Sequence, residues 1–267
     1  MTRRVVQVAG ALGVVALLAG GCMPAPASEQ AKSTSQLYSV FFVAGAFVWL
    51  LVVGLATFAA IRYRQRGNDA HIPRQVRGSL RIEAIWTGIP IIAVLVLFAL
   101  SIMVLNVVEA RSPDPGVDLK VTAFRWGWTF EYPAQGISIV SSPTSEPDVV
   151  VPVGVPIHVA MTSVDVNHAF FVPQFLFKRD AIPSHPTTFD FTVSAPGRYP
   201  GTCAEFCGVY HWAMRFAIKG VSQADFEAWA AAQPKGPASG APSAGSGAPA
   251  APGSASASPS PGGSNNP

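Results

Sequence analysis

Two long stretches of the chain carry no ionisable acid or base. Leu37–Ile61 and Ala84–Val108 are each 25 residues long and almost wholly apolar. At about 1.5 Å of rise per residue, a helix of that length crosses a hydrocarbon core of about 30 Å with room to tilt. Runs this long predict membrane helices and not a pair of buried core helices. Pro90 falls early in the second run, where a membrane helix tolerates it. Ser28 to Gln36 reads as a short polar lead-in, and Glu109 to Asp118, "EARSPDPGVD", as a hinge out of the membrane. From Leu119 the period shortens. "LKVTAFRW", "VVVPVGVPIHVAMTS", "TTFDFTVS" and "MRFAIKG" are short β-rich runs between Pro and Gly signals, which predict a small β-sandwich or barrel. In "RWGWTFEY" a period of two puts Trp126, Trp128, Phe130 and Tyr132 on one face of a strand. "SQADFEAWAAAQ" predicts a short closing helix capped by Ser222. Residues 234–267 are dominated by Pro, Gly, Ala and Ser with one charge, Lys235, and predict a disordered tail. The organisation expected is a helical hairpin over 37–108 with its loop at 62–83, a β domain over 117–232, and the tail.

Charge sets the orientation. Only 12% of the 267 residues are charged and the net charge is +3, but the distribution is uneven. Between Arg62 and Arg81 there are six arginines against one acid, Asp69, whereas Ala110 to Ala230 holds eleven acids and eight bases. The arginine cluster reads as the cytoplasmic loop of the hairpin and not as a nucleic-acid patch. The β domain then lies outside, in an oxidising compartment. Residues 1–22 start with Arg3 and Arg4, continue apolar, and end in "LLAGGC", the anatomy of an export signal. The ending resembles the lipobox of bacterial lipoproteins, with Ala19 at the position usually held by Leu. The resemblance implies that Cys22 is lipidated and becomes the new N-terminus.

The densest chemistry lies at "CAEFCGVYHWAM", Cys203 to Met214. A disulfide is the ordinary reading of two extracytoplasmic cysteines, but it leaves His211 and Met214 without a role. Zinc takes thiolates and imidazoles but has little use for a thioether. Copper suits all of them: thiolate, imidazole and thioether ligands on a β-sandwich describe electron-transfer copper sites. A second cysteine allows two thiolates to bridge two ions, each needing an imidazole. For the second imidazole, His158 reads as a half-buried strand residue and His185 as a surface turn. His168, followed by aromatics, is the better candidate. Phe170, Phe171, Phe206 and Trp212 are expected to bury the site.

"CAEFCGVYHWAM" matches the C-x-E-x-C-G-x-x-H-x-x-M signature of cytochrome c oxidase subunit II. "DVNHAFFVP", "KRDAIP", "PGRYPGTC", "RWGWTFEY" and "EAIWTGIP" resemble that family's other segments, so the resemblance runs from about Gln36 to Gly220. It implies a cupredoxin-like Greek-key sandwich behind a two-helix membrane hairpin, in a bacterial plasma membrane. It also implies a dinuclear copper A centre held by His168, Cys203, the Glu205 backbone carbonyl, Cys207, His211 and Met214. Trp126 is implied as the point of electron entry, the Glu205 carboxylate as a magnesium ligand, and Glu83 as the entry to a proton path. The expected role is electron entry from cytochrome c into a proton-translocating oxidase, with oxygen reduced in partner subunit I and subunit III alongside. No CxxCH motif occurs, so the donor haem belongs to a separate cytochrome. Acids of the β domain, Asp165 among them, are expected to steer a basic cytochrome. The alternatives are a quinol oxidase subunit, which in that family lacks the copper ligands, a CuA nitric oxide reductase subunit, and a tethered copper carrier or zinc module.

Overall fold

The computed structural model describes residues 23–64, 75 and 78–236. The signal segment with Cys22, part of the arginine loop and most of the tail lie outside the described residues. Two helices come first: α1 over Glu29–Arg62 and α2 over Leu80–Val108. Both are long and apolar enough to cross a membrane. Their side chains face outward: no described residue of α2 is buried, and in α1 only Ala31 is. Such a surface is costly in water and matches lipid.

α1 starts earlier than the apolar run. The polar lead-in is helical because Ser28 caps it, its side chain accepting from the Ala31 amide at 3.1 Å, with Glu29 favoured by the helix dipole in the first turn. These turns dock on the β domain. Ser28 bridges Val193, the Thr192 amide donates to Gln30 Oε1 at 3.2 Å, and Ser194 Oγ donates to Glu29 Oε1 at 2.9 Å. The hinge after α2 is equally tied. Arg179 pairs with Glu109 at 2.6 Å, and the Ser112 amide donates to the buried Asp190 at 2.6 Å.

The β domain has ten strands among the described residues: β1 Val117–Phe124, β2 Gly127–Tyr132, β3 Ile137–Val140, β4 Asp148–Pro152, β5 Pro156–Ser163, β6 His168–Val172, β7 Phe177–Ala181, β8 Thr187–Thr192, β9 Gly197–Cys203 and β10 Arg215–Val221. They form two five-stranded sheets, ordered β3-β2-β1-β5-β8 and β4-β10-β9-β6-β7. β1 pairs parallel with β5 and β10 with β4; the remaining pairs are antiparallel. Inner faces meet in an aromatic core, where Phe170 stacks on Phe216 at 4.8 Å and Trp128 meets Phe216 edge-on at 5.7 Å. The closing helix α3, Gln223–Ala232, is capped as expected, Ser222 Oγ accepting from the Asp225 amide at 3.1 Å.

One strand expectation fails. Trp128, Phe130 and Tyr132 share the buried face of β2, but β2 begins at Gly127, and Trp126 sits half-buried in the turn before it. The turn closes tightly: a Cβ on Gly127 would lie 2.2 Å from the Ser141 carbonyl oxygen. Alternation cannot extend through such a turn, so Trp126 is free to point elsewhere.

Candidate metal centre

β9 and β10 are antiparallel neighbours, and the chain between Cys203 and Arg215 is an excursion at their end. The Cys203 amide donates to the Met214 carbonyl at 3.1 Å and pins the loop's base. Inside it, a 3-10 turn over His211–Ala213 returns the chain, with the His211 amide bonded to the Gly208 carbonyl at 3.1 Å. Gly208 has φ +121°, and a Cβ there would stand 3.2 Å from the Trp126 indole, so both backbone and space call for glycine. β6 runs beside β9 with Phe170 opposite Cys203, which places His168, at the start of β6, over the same spot.

Side chains far apart in sequence therefore converge. Ligand atoms of His168, Cys203 and Cys207 lie within 4.8 Å of one another. Cys203 Sγ is 3.8 Å from His168 Nδ1 and 3.3 Å from the Glu205 backbone oxygen. Cys207 Sγ is 3.6 Å from His211 Nδ1 and 3.3 Å from Met214 Sδ. His168 and Met214 are fully buried and both cysteines nearly so. The cysteines are free thiols, so the disulfide reading does not describe this arrangement.

The electrostatics favour a bound cation. Burial, reinforced by the neighbouring Cys203, pushes the Cys207 thiol up to about 12. Two thiolates this close repel by about 3.5 kcal/mol at an effective dielectric of about 20, so a positive ion must stand between them for both to ionise. Burial lowers the His168 pKa and outweighs the pull of Asp165, leaving a neutral imidazole. His168 Nε2 faces Asp165 Oδ1 at 2.9 Å; with the proton there, the Nδ1 lone pair faces Cys203. Asp165 itself feels burial as a raising influence. Hydrogen bonds from His168 and from the Val166 and Arg125 amides outweigh it and hold the carboxyl below its usual range.

Two expectations change here. Phe206 is 82% exposed and Trp212 65%, so neither buries the site; Phe206 only rests its ring against His211 at 5.8 Å. Shielding comes instead from Trp128, which meets His168 edge-on at 6.1 Å and donates Nε1 to the Met214 carbonyl at 3.4 Å. Asp165 is no free steering charge either, since its side chain is 17% exposed and is held by His168 and Arg125. The only signal of that role in the sequence is a carboxylate three residues before His168.

The other named residues are placed as follows. Trp126 donates Nε1 to the Cys207 carbonyl at 3.2 Å and meets Tyr210 edge-on at 5.2 Å. The Glu205 carboxylate points away from the thiols and pairs with Lys178 at 3.1 Å. His158 is engaged elsewhere, 2.7 Å from Asp190, and His185 is exposed. Glu83 lies exposed in the first turn of α2, at the helix end away from the β domain.

Two thiols, two imidazoles and a thioether on a β-sandwich, carried by a membrane hairpin, define a membrane-tethered redox domain of cupredoxin type. Comparison with known proteins makes this specific. Residues 117–221 match the family "Cytochrome C oxidase subunit II, periplasmic domain", and residues 16–107 match "Cytochrome C oxidase subunit II, transmembrane domain". The chain belongs to the cytochrome c oxidase subunit II family. It is 31% identical to cytochrome c oxidase subunit 2 of Thermostichus vulcanus, covering 78% of this chain and 77% of that one. It is 31% identical to a probable cytochrome c oxidase subunit 2 of Streptomyces avermitilis, over 83% and 84% of the two chains. Among solved structures, it resembles the periplasmic domain of subunit II of cytochrome oxidase from Bradyrhizobium japonicum. That match has 32% identity and a TM-score of 0.42 over 46% of this chain and 96% of the other. Family membership places the C-terminal domain outside the membrane, makes the chain part of an oxidoreductase complex, and implies copper as its metal.

Proposed function

We propose that this chain is the electron-entry subunit of a bacterial cytochrome c oxidase and takes electrons from cytochrome c at a dinuclear copper A centre. The observation that carries the proposal is the convergence on two adjacent buried thiols, with His168 and the Glu205 carbonyl against Cys203 and with His211 and Met214 against Cys207. Two thiolates, two imidazoles, a thioether and a backbone carbonyl would together hold a pair of soft ions. Bound there, a copper pair supplies one-electron redox chemistry with little change in geometry.

The protein's own groups do the rest. Asp165 orients His168, Trp128 excludes water from behind it, and the Cys203–Met214 backbone bond keeps the loop from opening. Trp126 joins the surface to Cys207 through its N–H bond and is the entry point. The electron leaves to a haem–copper partner, subunit I, with subunit III alongside, where oxygen is reduced and protons are translocated across the bacterial plasma membrane. The outward Glu205 carboxylate supplies a hard oxygen ligand for magnesium at the contact with subunit I. Glu83 receives protons on the cytoplasmic side. Residues 1–22 act as an export signal with Cys22 as the lipidated terminus.

The test is spectroscopic. The copper-loaded protein should be purple, show a mixed-valence dicopper signal, and carry two coppers per chain. Cys207→Ser should abolish that signal, because one bridge is lost. A colourless metal-bound form, or an unchanged spectrum in Cys207→Ser, would falsify the proposal.

A further inference from the structure

A groove of about 550 Å³ with largely apolar walls lies between α1 and the β6–β7 turn. That volume falls within the ~300–1,000 Å³ usual for a small-molecule site. Tyr38 and Phe42 of α1 form one side, and Phe171 and Phe177, flanking the turn, form another. Met23 and Pro24 line it too, so the groove is walled in part by the residues that directly follow Cys22.

The path of the chain brings them there. Ala27 is fixed at the entry to α1, its amide donating to the Gln174 carbonyl at 2.9 Å, and Ser28 caps the helix. Tyr38 and Phe42 stand about 14 and 20 Å along the helix from Glu29, at about 1.5 Å of rise per residue. Residues 23–27 therefore turn back beside α1, since four residues of extended chain reach about 14 Å. The residue after Cys22 is thus returned to the level where the apolar run begins at Leu37. A polar chain end gains nothing from an apolar groove at that level, whereas an apolar group attached to it is taken out of water.

We infer that this groove holds an acyl chain attached to Cys22. The inference rests on the reading of residues 1–22 as an export signal with a lipidated end, and it adds where the lipid sits and what it does. Two membrane helices already hold the chain, so an anchor is not what the lipid supplies. Its use is local. It pins the start of the segment whose other end docks on the β domain through Ser28, Glu29 and Gln30. Free phospholipid is a poorer occupant. Among the described residues lining the groove the one charged side chain is Lys178, which already has Glu205 at 3.1 Å and Asp180 at 3.2 Å and offers little to a phosphate. An acyl chain tethered beside Met23 also competes at a high effective concentration.

The test uses the full chain in the membrane of a bacterium fed a diazirine-bearing fatty acid. After irradiation, peptide mass spectrometry should find Cys22 acylated, with its acyl chain cross-linked to residues 171–178 or 38–42 of the same protein. Phe171→Asp, which puts a carboxylate in the groove, should leave Cys22 acylated and remove these cross-links. It should also speed trypsin cleavage after Lys32 in spheroplasts by about tenfold, as the N-terminal segment undocks, while cleavage after Lys120 in β1 stays unchanged. Phe171→Leu should match the parent in both measurements. An acyl chain of Cys22 that cross-links only to other lipids or to a partner subunit overturns the inference. Free phospholipid cross-linked in the groove in its place overturns it too, as does unchanged cleavage after Lys32 in Phe171→Asp. Cys22 without an acyl group refutes the export-signal reading and the inference with it, whereas acylated Cys22 found away from the groove refutes this inference alone.

Discussion

Asp165 accepts from the Arg125 amide at 2.7 Å, the Val166 amide at 2.6 Å and His168 Nε2 at 2.9 Å. One carboxylate thereby holds the β1–β2 turn, its own loop and the imidazole in a single geometry. Arg125 precedes Trp126, so the same group steadies the indole over Cys207. This coupling makes Trp126 a sharp test. Trp126→Phe keeps a ring of similar shape but removes the N–H bond to the Cys207 carbonyl. Donor binding should survive, while the rate of centre reduction by the donor falls by orders of magnitude. Stopped-flow reduction alongside a binding titration separates the two effects. If both stay normal, entry lies elsewhere. Residues of this kind were only half legible in the sequence. The thiols, His211 and Met214 crowd into one segment, so their shared role shows in the spacing. Trp128 acts across strands, and nothing in its neighbours along the chain announces it; Asp165 shows only as a carboxylate three residues before His168.

α2 begins at Leu80 with Glu83 in its first turn, where a carboxylate meets the positive end of the helix dipole. That placement alone is worth about 0.3–1 kcal/mol, enough to account for an acid at this position without any role in proton transfer. The proposal of proton entry therefore needs an effect that a dipole partner would not produce. Glu83→Ala should slow steady turnover of the assembled oxidase with saturating cytochrome, while the rate of centre reduction stays unchanged. Equal turnover across pH would leave Glu83 as a helix-terminus charge only. α1 shows where element boundaries escape pattern reading. Its apolar run starts at Leu37, yet the helix starts at Glu29, because Ser28 caps it and Ala31 is buried once the first turn docks on the β domain. Hydropathy marks the part of a helix that meets lipid, not the part that meets protein.

Across the whole molecule, the two sheets bring β6 beside β9 and so carry His168 to the thiols. The site exists only in the folded domain, and its loading should be linked to protons. The apo Cys207 thiol is raised from 9.0 to about 12 by burial and by Cys203. Copper must displace that proton, so its affinity should rise with pH, by about tenfold per unit for each proton released. Competition titrations at two pH values read this directly, and a flat profile would mean the thiols are already ionised. The sign for the apo fold is opposite. A raised acid pKa contributes stability below the unfolded value, and that contribution is lost as pH climbs from about 9 towards 12. Removing the metal should therefore expose a loss of alkaline stability that the loaded protein lacks.

Local chemistry alone determined the two membrane helices, the β-rich domain, the capped closing helix and the soft-metal motif. Each of these rests on neighbours along the chain: hydropathy over a run, a cap at its first residue, ligand types within one loop. The tertiary structure decided what depends on strands meeting. It selected His168 over His158 and His185, because β6 lies against β9 while His158 is drawn to Asp190 across the β5–β8 pair. It took Trp126 out of the strand pattern and set it on the Cys207 carbonyl. It turned Asp165 inward and left Phe206 and Trp212 outside, because burial follows from which surfaces face each other, and a linear pattern carries no record of that.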